Sequence, residues 1–311
     1  MLTGEKAMSE LRGVMPILPT IFTASGAIDE VGTQRVLEYV IDSGASAVVF
    51  PGLASEYDTL TKDERLHMTG EIGRWINGRI PLIVGASANS QVEAEAYARA
   101  GAEAGAAAAM ILTPREHAND LPGMTRYFVE IYERSGIAVM VQNAPAPMGI
   151  GMPLPKVAEL AQAVAGIRYV KEEAQPSGQR ITQLSELAGE SLDAVFGGAG
   201  ARYVIDEWVR GAKGTMPACE ITELHVEMHA NFVAGRIRHA RDLFEQTLPL
   251  LSMQANFRWR LTKAVLQRRG LIECDFVRAA GPSLDRYDID ELNTLLARLA
   301  DIGLLDLPER A

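Results

Sequence analysis

The chain has 311 residues, room for two ordinary domains or one large barrel with an appendage. Apolar residues make up 48% and charged residues 23%, the balance of a folded globular protein, which excludes disorder and low-complexity scaffolds. Forty acidic against 30 basic residues give a net charge of −10, the wrong sign for gripping a phosphate backbone, so nucleic acid is excluded as a partner.

The opening stretch, residues 1–13, carries charges where a signal peptide needs an apolar run. The most apolar run, Ala106 to Leu112, is too short to span a bilayer. A cytoplasmic protein with no membrane partner is expected. Cys219 and Cys274 have neither metal-ligand spacing nor a secretory context, so both are expected reduced and structural.

Eight short apolar runs alternate with longer stretches of helical period. They lie at Met15 to Thr20, Ala47 to Phe50, Leu82 to Gly85, Ala108 to Thr113, Ala138 to Gln142, Ile167 to Lys171, Ala194 to Gly197 and Lys213 to Pro217. Their spacing, roughly 20 to 35 residues, fits a strand, a helix and two loops. Eight such units predict an α/β fold, a closed (β/α)8 TIM barrel over residues 1–218. Thr61 to Glu64 and Ser90 to Glu93 read as capping boxes, and Asn77-Gly78 as a helix stop. A doubly wound sheet would place a glycine fingerprint after its first strand, whereas the glycine cluster here, Gly197 to Gly200, follows the seventh. Beyond Pro217 the strand signals stop. Glu220 to Leu299 reads as several helices with breaks near Arg269-Gly270 and Gly281-Pro282, a C-terminal helical appendage over residues 219–311 packed on the barrel.

Barrel active sites lie at the C-terminal ends of the strands, so the residues closing each run are the candidates for chemistry. Among the six lysines, Lys171 ends the sixth run. A lysine inside a barrel loses hydration, which favours the neutral amine able to attack a carbonyl. By position alone Lys171 is such an amine or a salt-bridged strand end; Lys213, which precedes its strand, is a weaker rival.

Several motifs then fall in order. They are Gly13-Val14-Met15-Pro16 through Phe22, Gly52-Leu53-Ala54-Ser55-Glu56, Leu60 to Arg65, Thr113-Pro114, Asn143-Ala144-Pro145, Val170-Lys171-Glu172 and Arg269-Gly270-Leu271-Ile272. In this order the chain resembles the dihydrodipicolinate synthase and N-acetylneuraminate lyase superfamily of class I Schiff-base lyases, over nearly its whole length. The resemblance implies that Lys171 is the Schiff-base lysine. The family's proton relay, a loop threonine and two tyrosines, is replaced by Leu53, Glu116 and Gln142, and the arginine that holds the synthase's second substrate by Pro147. Dihydrodipicolinate synthesis is therefore not expected. Val141-Gln142-Asn143-Ala144-Pro145, Ser55-Glu56 and Lys171-Glu172-Glu173 are similar to the L-2-keto-3-deoxyarabonate dehydratase branch, although Leu53, Ala54 and Asn143 depart from it.

The expected substrate is a 2-keto-3-deoxy sugar acid, bound as an imine to Lys171 at C2 and dehydrated without a cofactor or a metal. Glu173, two residues on, is the candidate general base or acid, against the plainer reading of a solvated or salt-bridged carboxylate. Leu53, Ala54 and Ser55 would hold the substrate carboxylate, Ser55 through its hydroxyl and the loop through its amides. Gln142 would orient a hydroxyl or water, since an amide cannot act as a base near neutral pH. Tyr57 is the phenol nearest this loop.

Two alternatives stand beside the dehydratase: a pyruvate-dependent aldolase of the same superfamily, and a barrel that has lost catalysis and keeps a binding role. His225-Val226-Glu227-Met228-His229 sets two imidazoles one turn apart, but outside the strand ends and without a third ligand, so a surface or interface pair is expected. The resemblance also implies a homo-oligomer, a tetramer built as a dimer of dimers, in which Glu116 and His117 would approach a neighbouring subunit.

Overall fold

The computed structural model describes residues 11–308. Its strands follow the eight apolar runs: β1 (Gly13–Val14), β2 (Val48–Phe50), β3 (Leu82–Gly85), β4 (Ala108–Leu112), β5 (Ala138–Asn143), β6 (Ile167–Glu172), β7 (Ala194–Gly197) and β8 (Gly214–Thr215). They pair in parallel in the order β1-β8-β7-β6-β5-β4-β3-β2. A bridge from Ile17 to Val49 joins the chain after β1 to β2 and completes the ring. There the Leu18 amide donates to the Val49 carbonyl at 3.0 Å and the Val49 amide to the Pro16 carbonyl at 2.9 Å. The molecule is the expected (β/α)8 barrel with added C-terminal helices.

The first and last strands differ from their predicted runs. Met15 to Thr20 contains Pro16 and Pro19, and Lys213 to Pro217 ends in proline. Proline has no ladder donor, so regular pairing is confined to Gly13–Val14 and Gly214–Thr215. The expectation of no targeting segment falls almost entirely on residues 1–10, outside the described residues. Among the described residues no helix is long and apolar enough to cross a membrane.

The helices are α1 (Glu30–Asp42), α2 (Lys62–Ile76), α3 (Gln91–Glu103), α4 (Leu121–Ser135), α5 (Leu154–Ala163), α6 (Ser177–Ala188), α7 (Val204–Val209), α8 (Thr222–Val233), α9 (Ile237–Phe257), α10 (Trp259–Arg268) and α11 (Arg286–Asp301). Thr61 and Glu64 form the capping box of α2, and Asn77, in the left-handed conformation at φ 47°, ends it. Ser90 caps α3 by accepting from the Glu93 amide.

Alternation along the strands sorts side chains into two cores. Met15, Val49, Ile83, Met110, Met140, Tyr169, Phe196 and Met216 fill the barrel interior. Val84, Ile111, Val141, Val170 and Val195 point outward into the helices. On β6 the inward series that begins at Tyr169 continues through Lys171 and Glu173, so the same period that builds the core delivers two ionisable groups to its upper end.

The C-terminal helices are anchored over that end. Lys263 on α10 and Glu56 in the loop after β2 are both fully buried, with Nζ and Oε1 2.5 Å apart. Glu56 Oε2 also accepts from the Ala279 amide at 2.7 Å, and Lys263 donates to the Phe276 carbonyl at 2.9 Å. Arg278 pairs with Glu64 at the start of α2 at 2.8 Å. Cys219 and Cys274 are both free thiols.

Candidate active site

Lys171 and Glu173 meet at the end of β6, with Nζ 3.1 Å from Oε1 and neither side chain more than 8% exposed. Gln142, the register partner of Lys171 on β5, donates from Nε2 to Glu173 Oε2 at 2.6 Å. The Ala199 amide donates to Oε1 at 3.3 Å. Burial alone would raise the Glu173 pKa, but the positive charge of Lys171 and the donors around the carboxylate outweigh it and hold the group below its ordinary value. Glu173 is therefore an anion at neutral pH, paired rather than solvated.

The glycine cluster after β7 makes this possible. A Cβ on Gly198 would lie 2.4 Å from Glu173 Oε1, and one on Gly197 would lie 1.8 Å from Glu207 Oε2. The two bare backbone positions admit one carboxylate on each side rather than a nucleotide. Glu207, on α7, is completely buried; Oε1 accepts from the Ser177 hydroxyl at 2.6 Å and Oε2 has no partner. Burial raises its pKa to about 7, and the charge on Glu173 adds to the effect.

The neighbouring Glu172 points outward and serves the scaffold. It accepts from Arg180 at 2.9 Å, from Asn143 Nδ2 at 2.7 Å and from the Ala174 amide at 2.9 Å. Asn143 also exchanges two hydrogen bonds with the Met152 backbone, which fixes the loop between β5 and α5.

The loop after β2 reaches the site in a different way from the sequence expectation. Leu53 to Ser55 form a short 3-10 turn. The Ser55 hydroxyl is fully buried, donating to the Leu18 carbonyl at 2.5 Å and accepting from the Gly52 amide at 2.8 Å. Its own amide donates to the Gly52 carbonyl at 2.9 Å. Ser55 thus holds the loop in shape and does not line the cavity, whereas Leu53 and Ala54 do. That cavity, of about 140 Å³, is walled by Leu53, Ala54, Lys171, Glu173, Arg202 and Arg258 among others. Gln142 stands outside its wall and acts on it through Glu173. A larger cleft of about 600 Å³ adjoins it, sharing Leu53, Met148, Arg258 and Trp259, and contains Tyr57 and Glu116. Tyr57 lies under the Arg65 guanidinium, 5.2 Å from ring centroid to Cζ. His117 sits 3.6 Å from Asp120 and against the Tyr127 ring.

The remaining candidates lie elsewhere. Lys213 is exposed ahead of β8. His225 is buried with both ring nitrogens unpartnered, its pKa lowered by burial to about 4, and His229 packs against Trp208. Among the described residues no group of three or more His, Cys, Asp or Glu is placed to hold a metal ion. Glu207, Arg202 and Arg258 are members of the site, or its immediate support, that the sequence reading missed. None of them closes a strand, and only the fold brings their loops and helices to the mouth.

Comparisons with known proteins agree with this architecture. Residues 10–298 match the model of the dihydrodipicolinate synthetase family. The L-2-keto-3-deoxyarabonate dehydratase of Azospirillum brasilense is 26% identical over 297 residues, which cover 94% of this chain and 96% of that one. The 4-hydroxy-tetrahydrodipicolinate synthase of Sodalis glossinidius is 29% identical over 244 residues, covering 76% and 81%. The crystal structure of YagE, a prophage protein of E. coli K12 in complex with pyruvate, superposes with a TM-score of 0.86 at 21% identity, covering 93% of this chain and 98% of that one. The chain belongs to the dihydrodipicolinate synthetase family.

Proposed function

We propose that this lyase acts on 2-keto-3-deoxy sugar acids through an imine on Lys171, and that it is a dehydratase. The observation that carries the reading is the buried Lys171–Glu173 pair in a cavity whose wall, among the described residues, contains no tyrosine. Glu173, 3.1 Å from Nζ, takes the lysine proton and frees the amine to attack the C2 carbonyl. It returns that proton to the departing carbinol oxygen as the imine forms. The same carboxylate then removes a C3 proton, and the resulting enamine expels the C4 hydroxyl, which leaves as water with the proton from Glu173. Gln142 keeps the carboxylate aimed throughout. Amides of the Leu53-Ala54 turn hold the substrate carboxylate, and Ser55 fixes that turn from below. The conjugated imine that remains loses a proton from C5 and regains one at C3, the enol so formed becomes the aldehyde, and water hydrolyses the imine, restoring the Lys171 amine and releasing, from the five-carbon acid, 2-oxoglutarate semialdehyde. A homotetramer in the cytoplasm belongs to the same proposal.

Mass spectrometry of the products tests the reading. A dehydratase converts a 2-keto-3-deoxypentonate to a species lighter by one water, without pyruvate. Glu173→Gln should lower kcat by about 10²- to 10⁴-fold, the usual contribution of a general acid-base group. Pyruvate release in step with turnover would establish the aldolase instead, and turnover unchanged in Glu173→Gln would remove the carboxylate from the chemistry.

A further inference from the structure

The cavity that holds Lys171 and Glu173 contains two cations for which the imine chemistry has no use. Arg202 lies between β7 and α7, and Arg258 at the break between α9 and α10. Neither guanidinium hydrogen-bonds or pairs with a carboxylate among the described residues, although Arg258 lies 5.7 Å from the Trp259 ring centroid. Other arginines near the barrel mouth are committed: Arg65 to the Ser87 and Gly85 carbonyls, Arg180 to Glu172, and Arg278 to Glu64. In a chain with a net charge of −10, two uncommitted arginines on one cavity form a local positive field beside Lys171 and Glu173.

The Arg258 backbone adds to this. Its φ of 50° and ψ of −124° lie where glycine is the ordinary residue, yet an arginine occupies the position. Gly200, also on the cavity wall, lies close to Gln254, whose Oε1 would sit 3.2 Å from a Cβ there.

We propose that the substrate carries a second anionic group at the end remote from the keto acid, a carboxylate or a phosphate ester, held by Arg202 and Arg258. The inference rests on the Schiff-base reading and deepens it, because diacids and phosphorylated acids then rank above the plain five-carbon acid. The keto acid's own carboxylate has its donors in the Leu53-Ala54 turn, so the arginines serve the other end. The planar guanidinium fork matches either anion through paired charge-assisted hydrogen bonds.

The test is the concentration dependence of borohydride-trapped adduct with 2-oxohexanoate, 2-oxoadipate and 2-keto-3-deoxy-6-phosphogluconate, in the wild type, Arg202→Gln and Arg258→Gln. One of the terminal-anion acids should half-saturate the wild type at a concentration about tenfold or more below that of 2-oxohexanoate, as expected for charge-assisted hydrogen bonds. Which of the two does so identifies the anion. That advantage should shrink in each variant and vanish in the double variant. Equal half-saturation by all three acids, or an advantage that survives the double substitution, overturns the proposal. Calorimetric titration with the same ligands needs no imine. A charge preference there without any trapped adduct would leave the anion site standing and contradict the Schiff-base reading instead.

Discussion

Glu173 and Glu207 are separated by little more than the backbone of Gly197 and Gly198, yet their environments drive them apart. Glu173 has a positive neighbour and three donors to its carboxylate and stays charged; Glu207 has one hydroxyl donor and an orphan oxygen, and its pKa rises to about 7. The charged groups acting on Glu207 are Lys171, Glu173 and Asp206. Folded Glu207 keeps its proton up to about pH 7, whereas the unfolded chain gives it up near the ordinary value of 4.5. Between these values unfolding releases a proton, so rising pH favours the unfolded chain, at a total cost on the order of 3 kcal/mol above pH 7. Glu207→Gln removes the titration. Its melting temperature relative to wild type should therefore climb from pH 4.5 to 7 and level off above, whereas a constant offset across that range would contradict the assignment. Lys171 and Glu173 were legible in the sequence because period-two alternation from an apolar strand fixes where they point. The burial of the Ser55 hydroxyl was not, since its partner, Leu18, lies 37 residues away.

At the scale of elements, the loop after β2 is shaped from two sides. Ser55 ties it inward to Leu18, and Glu56, in the left-handed conformation at φ 57°, turns outward to meet Lys263 on α10. The C-terminal helices therefore hold a wall of the cavity in place, in addition to covering the barrel end. Removing one member of a fully buried ion pair leaves the other charged and unpaired, which typically costs about 3 to 5 kcal/mol. Lys263→Ala should be destabilised by about that much in denaturant titration. Lys263→Ala together with Glu56→Gln should recover part of the loss; a Lys263→Ala effect below about 1 kcal/mol would place the pair among weak surface contacts. The strands were readable from alternation and the caps of α2 and α3 from Thr61, Asn77 and Ser90, whereas the caps at Asp29, Asp120 and Asp285 were not read. β1 and β8 are shorter than their apolar runs because Pro16, Pro19 and Pro217 have no amide to donate to a ladder.

For the molecule as a whole, the barrel supplies an interior whose upper layer is ionisable, and in a chain with a net charge of −10 the cavity there carries two unpaired arginines. The eightfold βα repeat made the architecture legible from spacing alone. Arg202 and Arg258 escaped because they come from a loop and a helix break, which carry no periodic signal. Their meeting with Lys171 depends on ring closure and on how the C-terminal helices return over the barrel. Everything proposed for the chemistry depends on Lys171 forming an imine. Intact-mass measurement after borohydride reduction, with 2-keto-3-deoxy acids and with pyruvate, tests this most directly in the wild type and Lys171→Ala. A covalent adduct of sugar-acid or product mass is expected in the wild type and none in the variant. An adduct that persists in Lys171→Ala, or no adduct with any keto acid, would contradict imine formation on Lys171.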